Sequence, residues 1–445
     1  MNKYTTLEER VRIIELSEKG YKDPQISKQL KVSIPTVRKW RYRFAKAGRG
    51  GLSSRMGRPA GGSLSSFPPE LEKTLKDWRK AHRGWGAKTL LAELNRHPYW
   101  KEKALPSERS IHRWLQDKHL TRPYQAHSDL PEVESAEQAT EVHEEWEMDA
   151  RGYEYVPIVG IISLINLNDW VSHVHLLSYP CWLGQNRCQR HPNTQDYQVS
   201  LRLAFIEWGL PDRLSLDHES PFYDNDSPSP FPTLLHRWLI ALGIQLCFGR
   251  KGFAVDQAIT ERSHQLWYHQ VLEGQSFDRI EQLFAALQRR REFLNSHLPC
   301  ASLHGKPPLI AYPQARYPKR AYHPQREEQL LDLRRLYSYL AKGRWFRKVS
   351  KDGTFSLGSE IYYLHKSWAH QQIEITFDEQ TIQFICKSED ATKFKSVSPK
   401  GCSKQDLMGE AGPLKNLTDL QLHLPFSYED WRQLLIYQTQ SHTTL

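Results

Sequence analysis

Three acids stand in contexts suited to metal-assisted chemistry. Asp149 ends the run Trp146-Glu-Met-Asp149, Asp217 ends Arg213-Leu-Ser-Leu-Asp217, and Glu261 lies in Asp256-Gln-Ala-Ile-Thr-Glu-Arg-Ser-His264. The first two runs read as strands and the third as the start of a helix. There are 67 residues between the two aspartates and 43 between Asp217 and Glu261. If the first and fourth strands of a sheet are neighbours, both aspartates emerge at the same end. Three carboxylates packed together repel one another and take up protons unless cations neutralise them. Two Mg2+ or Mn2+ ions about 4 Å apart would suit such a set, activating the attacking oxygen and stabilising the leaving one in phosphoryl transfer. All-oxygen donors favour these ions over zinc. Glu147, Asp212, Glu219 and Asp256 are the nearest competing acids. Cys181, Cys188 and His191 offer three zinc ligands without the spacing of a pair of short knuckles.

The elements around these acids alternate between strand and helix. Strands are expected at Trp146–Asp149, Val156–Ile165, Val171–Leu177, Arg213–Asp217 and Ile244–Phe248, with a hairpin turn at Asn166–Asp169. Helices are expected at Gln195–Trp208, Phe231–Leu242, Ala258–Leu272 and Ile280–Ser296, and an irregular insertion at Ser178–Thr194. This order predicts an α/β body, a mixed sheet with helices on both faces, over 146–310.

The 445 residues allow two to four domains. The net charge of +10 is unevenly spread. Residues 1–125 hold 28 Lys and Arg against 12 Asp and Glu, while the remainder holds 33 against 39. All the excess positive charge is therefore in one arm, as expected for a polyanion binder joined to a different body. Within 1–48, Ile26 and Leu30 mark a short helix, and Ser33 can cap a third helix with Val37, Trp40 and Phe44 on its apolar stripe. The first helix is expected to bury Leu7, Val11 and Ile14. The outer face of the third carries Thr36, Arg38, Lys39, Arg41, Tyr42 and Arg43, the pattern of a helix-turn-helix domain that reads duplex DNA. The segment 49–67 is a Gly- and Ser-rich linker with Arg49, Arg55 and Arg58, which could follow a minor groove. A second helix-turn-helix-like domain is expected over 68–122, with Arg109 and Arg113 on the helix capped by Ser107. The segment 123–145 is an acidic spacer.

Beyond the body, 311–400 predicts a helix at Arg326–Leu340 and a small β-barrel. The start of that barrel (Lys342, Arg344, Trp345, Arg347, Lys348 and Lys351) could touch phosphates. The segment 401–445 is a tail that could bind a helper protein. Six scattered cysteines do not suggest a disulfide framework. With no apolar run of membrane-span length and no signal-peptide core, a cytoplasmic protein is expected.

Taken in order, helix-turn-helix, acidic spacer, Trp146-x-x-Asp149, Asp217-x-x-x-x-Phe222, Gly243-Ile244 and Ile259-Thr-Glu261-Arg262 resemble the bacterial DDE transposases with a retroviral-integrase-type catalytic core. The resemblance covers about residues 5–310. It implies a ribonuclease-H-like fold, two metal ions on Asp149, Asp217 and Glu261, and cleavage at element ends followed by attack of the freed 3′-hydroxyl on target DNA. Two ends must meet, so a homo-oligomer on DNA is expected. Arg250, Lys251 and Arg262, beside the third acid, could hold phosphates. His218-Glu219 stands where the family usually has Asn-Gly, and Arg250–Val255 replaces a Pro-rich segment. The competing functions are a DNA-binding regulator without catalysis and a metal nuclease that cuts without joining.

Overall fold

The computed structural model describes residues 5–53, 62–121, 139–217, 220–225, 227–248, 258–390 and 392–409. The N-terminal arm begins with helices α1 (Leu7–Glu18), α2 (Asp23–Leu30) and α3 (Ile34–Ala47). Thr6 caps α1 in a reciprocal box with Glu9, and the Ser33 hydroxyl accepts the Thr36 amide at the start of α3. Lys22 is the cap residue of α2, and Asp23 stands in its first turn. The small core is Ile13, Ile14, Leu16, Ile26, Val37 and Trp40. Leu7 and Val11 were expected in it but are 57% and 40% exposed. The Arg10 guanidinium, 4.2 Å from the Trp40 ring centre, covers that side of the indole instead.

Helices α4 (Pro69–Ala81), α5 (Ala87–Arg96) and α6 (Glu108–Asp117) enclose Leu71, Leu75, Leu90, Leu94, Ile111 and Trp114. Ser107 caps α6 as expected. The connection from α5 to α6 is longer than a tight turn, because Trp100 folds back into the core between them.

The body is a five-stranded sheet in the order β3-β2-β1-β4-β5. Strands β1 (Glu145–Val156), β2 (Gly160–Asp169) and β3 (His175–Gly184) form an antiparallel meander, while β4 (Arg213–Leu216) and β5 (Gln245–Phe248) run parallel to β1. Helix α7 (Thr194–Trp208) links β3 to β4, and α8 (Leu234–Ala241) links β4 to β5. Helix α9 (Ala258–Trp267) follows and ends in a π-helical turn at Tyr268–Leu272, before α10 (Ile280–Ser296). This strand order, with helices on both faces, is the ribonuclease-H-like arrangement.

Two details differ from expectation for identifiable reasons. β2 continues through Asn166–Asp169, and the turn comes after it. The Asp169 carboxylate accepts the amide and hydroxyl of Ser172 and the amide of His143, which fixes the reversal there. β3 then runs to Gly184 through part of the expected insertion, and its Pro180 is tolerated because β3 is an edge strand.

The second helical module docks on this body. The Gln270 amide donates to the Thr89 hydroxyl, and Arg290 of α10 bonds both Gln270 and Glu93. Gly84 sits so close to the His269 carbonyl that any side chain would collide with it.

The helix expected at Arg326–Leu340 is broken. Asp332 donates its amide to the Ala241 carbonyl and caps a separate helix, Leu333–Leu340. The C-terminal strands are β6 (Arg344–Lys348), β7 (Thr354–Leu357), β8 (Glu360–Tyr363), β9 (Gln372–Asp378), β10 (Gln383–Ser388) and β11 (Phe394–Val397). They form a four-stranded sheet, β11-β10-β9-β6, and a separate β7-β8 hairpin, not one closed barrel. Phe355, Tyr362, Phe377 and Phe384 fill the space between them. The residues of the tail from 410 onward lie outside the described residues. Among the described residues no helix is long and apolar enough to cross a membrane.

Candidate active site

The site begins with the pairing of β1 and β4. Glu145, Trp146 and Glu147 lie level with Arg213, Leu214 and Ser215 in parallel register. Two more residues in that register bring Asp149 level with Asp217. Neighbouring strands are about 4.8 Å apart, and residues at one level leave the same face, so Asp149, within β1, and Asp217, just past the end of β4, would lie side by side if the register continues. Asp149 is half-buried, with 14% of its side chain exposed, and Asp217 is also half-buried.

Helix α9 lies on that face. Its His264 places Nε2 3.6 Å from Asp149 Oδ2, and both side chains are largely covered. Glu261 is one turn earlier in α9, and its side chain lies outside the described residues. Among the described side chains, no three of His, Cys, Asp and Glu form a metal-sized group.

The sheet is unusually polar under α9. Across β2 from Asp149 stands Asn166, 0% exposed, and across β3 from Asn166 stands Ser178, also buried. One level back are Glu147 and Asn168, both buried, and the Asn168 Oδ1 is 2.7 Å from the His175 ring. Burial holds the His175 imidazole down at a pKa of about 4, helped by His173 and Arg291. At the far end of β1, burial raises the Glu145 carboxyl although Arg213 lies 3.2 Å away.

These donors suit a divalent cation. They are hard oxygens on adjacent rigid strands, and beside them a buried amide, Asn166, has neither polar atom hydrogen-bonded. Such an amide fits a site completed by something polar.

His264 and Asn166 were absent from the sequence-based set. His264 carried a signal, since it follows Glu261 by three residues on one helix. Asn166 was hidden because Asn166-Leu-Asn-Asp169 has the composition of a turn. Cys181 is buried and Cys188 is exposed, with its thiol donating to the Arg190 carbonyl. The His191 ring bonds the Tyr153 hydroxyl instead.

Of the residues expected to face DNA, some are exposed and others are engaged within the fold. Arg38, Lys39, Arg41 and Tyr42 are exposed on α3, Tyr42 by 67%. Arg38 lies 3.3 Å from Asp23, and Arg41 bonds it as well. The Arg41 hydrogen bond is the main cause that lowers the Asp23 pKa. Arg43 turns inward, 5.0 Å from the Trp40 ring centre, and the Thr36 hydroxyl is 2.8 Å from that of Ser33. Arg49, Arg109 and Arg113 are exposed. Arg55, Arg58, Arg250 and Lys251 lie outside the described residues, as does the Arg262 side chain. At the start of the C-terminal sheet Trp345 is buried, and Arg347 is taken up by the Ser229 carbonyl and Asp224. Arg344 and Lys348 remain exposed there.

Two models described as homeodomain-like domains match the chain, over residues 4–53 and 36–115. Three solved structures show similarity. The simian T-cell lymphotropic virus intasome in complex with PP2A regulatory subunit B56 gamma is 11% identical over 58% of this chain and 80% of that one, with a TM-score of 0.30. The HTLV-2 integrase catalytic core in complex with magnesium is 12% identical over 38% and 96%, TM-score 0.26. The BIV integrase catalytic core is 14% identical over 39% and 95%, TM-score 0.26. The chain thus sets homeodomain-like domains before a body whose mixed sheet runs in the order β3-β2-β1-β4-β5.

Proposed function

We propose that the chain is a DDE transposase or integrase, a polynucleotidyl transferase that cuts and joins DNA at the ends of an element. The observation that supports this reading is the parallel register of β1 and β4, which pairs Glu147 with Ser215 two residues before Asp149 and Asp217, beside the helix that bears Glu261. Asp149, Asp217 and Glu261 would hold two Mg2+ or Mn2+ ions. Bound there, such ions supply activation of the attacking oxygen and charge stabilisation of the leaving one. The chain's own residues do the positioning. The sheet fixes the two aspartates, α9 brings Glu261 and His264 over them, and the basic arm holds the duplex.

The domain limits expected from sequence would divide the labour in the same way. The exposed cations of α3 and α6 would bind element ends, with Arg55, Arg58, Arg250, Lys251 and Arg262 adding phosphate contacts. Two ends and a target require more than one copy of the core, so the active form is a homo-oligomer on DNA, and residues 401–445 would carry any helper contact.

The decisive experiment mixes the purified chain with labelled duplexes ending in the repeats that flank its gene, a supercoiled target and Mg2+ or Mn2+. Strand-transfer products are expected from the parent and none from Asp217→Asn. End binding without nicking or joining would sink the enzyme reading and leave a DNA-binding regulator. Nicking without joining would leave a nuclease.

A further inference from the structure

β2 is buried from Ile162 to Asp169 between two partner strands, a position that normally selects apolar side chains on both faces. Asn166 breaks that rule. It is 0% exposed, and neither its Oδ1 nor its Nδ2 has a hydrogen-bond partner. Burying an amide without partners is costly, and such groups in folded proteins are exceptions that need a reason. The neighbouring Asn168 is satisfied by half, its Oδ1 engaged by the His175 ring while its Nδ2 has no partner.

The location supplies the reason. Asn166 is the direct antiparallel partner of Asp149, so the two side chains leave the same face with their Cβ atoms about 5 Å apart. His264 of α9 flanks Asp149 from the helix side at 3.6 Å. A carboxylate that holds a cation needs its second oxygen and its plane fixed by outer partners, and loss of such a partner typically weakens metal binding about 10- to 100-fold.

We infer that Asn166 is a positioning residue for Asp149, its side-chain amide, unbonded in this structure, donating to the carboxylate oxygen turned away from the cation once a cation is held there. The inference rests on the reading of Asp149 as a metal-binding carboxylate. It accounts for an amide in the middle of a buried strand, and for its lying level with Asp149 and not elsewhere along β2.

The test uses the full chain without DNA and reads Mn2+ binding by electron paramagnetic resonance, so that no turnover is needed. Asp149→Asn defines the site. Asn166→Leu keeps the volume and removes both polar atoms, while Asn166→Ser retains a donor. The Leu variant should melt at or above the parent temperature, yet its Asp149-dependent Mn2+ dissociation constant should rise at least about ten-fold. The Ser variant should recover part of that loss. Unchanged Mn2+ affinity in a folded Leu variant, with Asp149→Asn abolishing binding, overturns the role of Asn166 and leaves the carboxylate site standing. Binding indifferent to Asp149→Asn overturns the metal-site reading, and the positioning role with it. If the Leu variant fails to fold, Asn166→Ala, which removes both polar atoms without adding bulk, decides, and native Mn2+ affinity there overturns the inference.

Discussion

The two faces of the central sheet, compared at the level of β1 and β4, are built from opposite chemistries. One face carries Trp146, Met148, Leu214 and Leu216, all at most 1% exposed, with Phe205 of α7 packed 5.8 Å from the Trp146 ring. The other carries Glu147, Asp149, Asn166, Asn168, Ser178, Ser215 and Asp217. The first face stabilises the fold, because burial of a large apolar side chain contributes about 1.5–3 kcal/mol. The second opposes it, because buried carboxylates and amides are desolvated. A sheet that keeps such a face spends stability on function, and substitutions on the two sides should therefore move stability and activity in different directions.

The largest effect is expected on the polar face. Asp149→Asn or Asp217→Asn should lower strand transfer by about 1,000-fold or more, because a ligand that stabilises transition-state charge is lost. Thermal stability should hold or rise by about 1 kcal/mol as carboxylate crowding is relieved. Element-end binding by gel shift should change by no more than about two-fold. A marked fall in melting temperature would show these aspartates to be structural.

The apolar face should respond the other way. Trp146→Ala removes a fully buried indole whose nitrogen also donates to His143 Nδ1 at 3.1 Å. A loss of about 3–5 kcal/mol is expected in denaturant unfolding. Activity per folded molecule should persist where the variant stays folded, and selective loss of catalysis would break the division between the faces.

Acid should act through two buried histidines. Burial keeps the His175 pKa near 4, and His236 of α8 is likewise held near 4 by burial and Arg237. Unfolding releases both to the ordinary value of about 6.5. The unfolded chain then binds more protons, so stability present above pH 6.5 is lost as pH falls toward 4. The slope reaches about 1.4 kcal/mol per pH unit for each histidine. His175→Asn should flatten the stability profile over that window, and an unchanged profile would remove His175 from the account.

The extent to which this was legible in the sequence follows the same division. Apolar periodicity located α7 and α10 almost to the residue, and the run closing on Asp217 matched the end of β4, whereas β1 does not stop at Asp149 but continues to Val156. Pairing was another matter. That β1 and β4 are neighbours in register depends on long-range contacts that no local pattern encodes, and it could only be stated as a condition. Polar residues inside strands were misread. Asn166-Leu-Asn-Asp169 has turn composition, yet it is strand, because the Asp169 side chain builds the reversal one step later. The small barrel expected at the C-terminus is instead a four-stranded sheet and a separate hairpin, since closure is again a non-local property.

The smallest effect is the one that fixes where the functional face ends. Ser178 continues the row Asp149–Asn166 onto β3, buried and with its hydroxyl unpartnered. If function stops at Asn166, the hydroxyl is only a burial cost, and Ser178→Ala should stabilise the fold by up to about 1 kcal/mol. Strand transfer and Mn2+ affinity should then stay within about two-fold of the parent. A ten-fold fall in Mn2+ affinity without loss of stability would mean that the polar row acts as one unit from Asp217 to the edge strand. The boundary between the parts of the sheet that hold the fold and those that hold the cation would then run between strands as well as between faces.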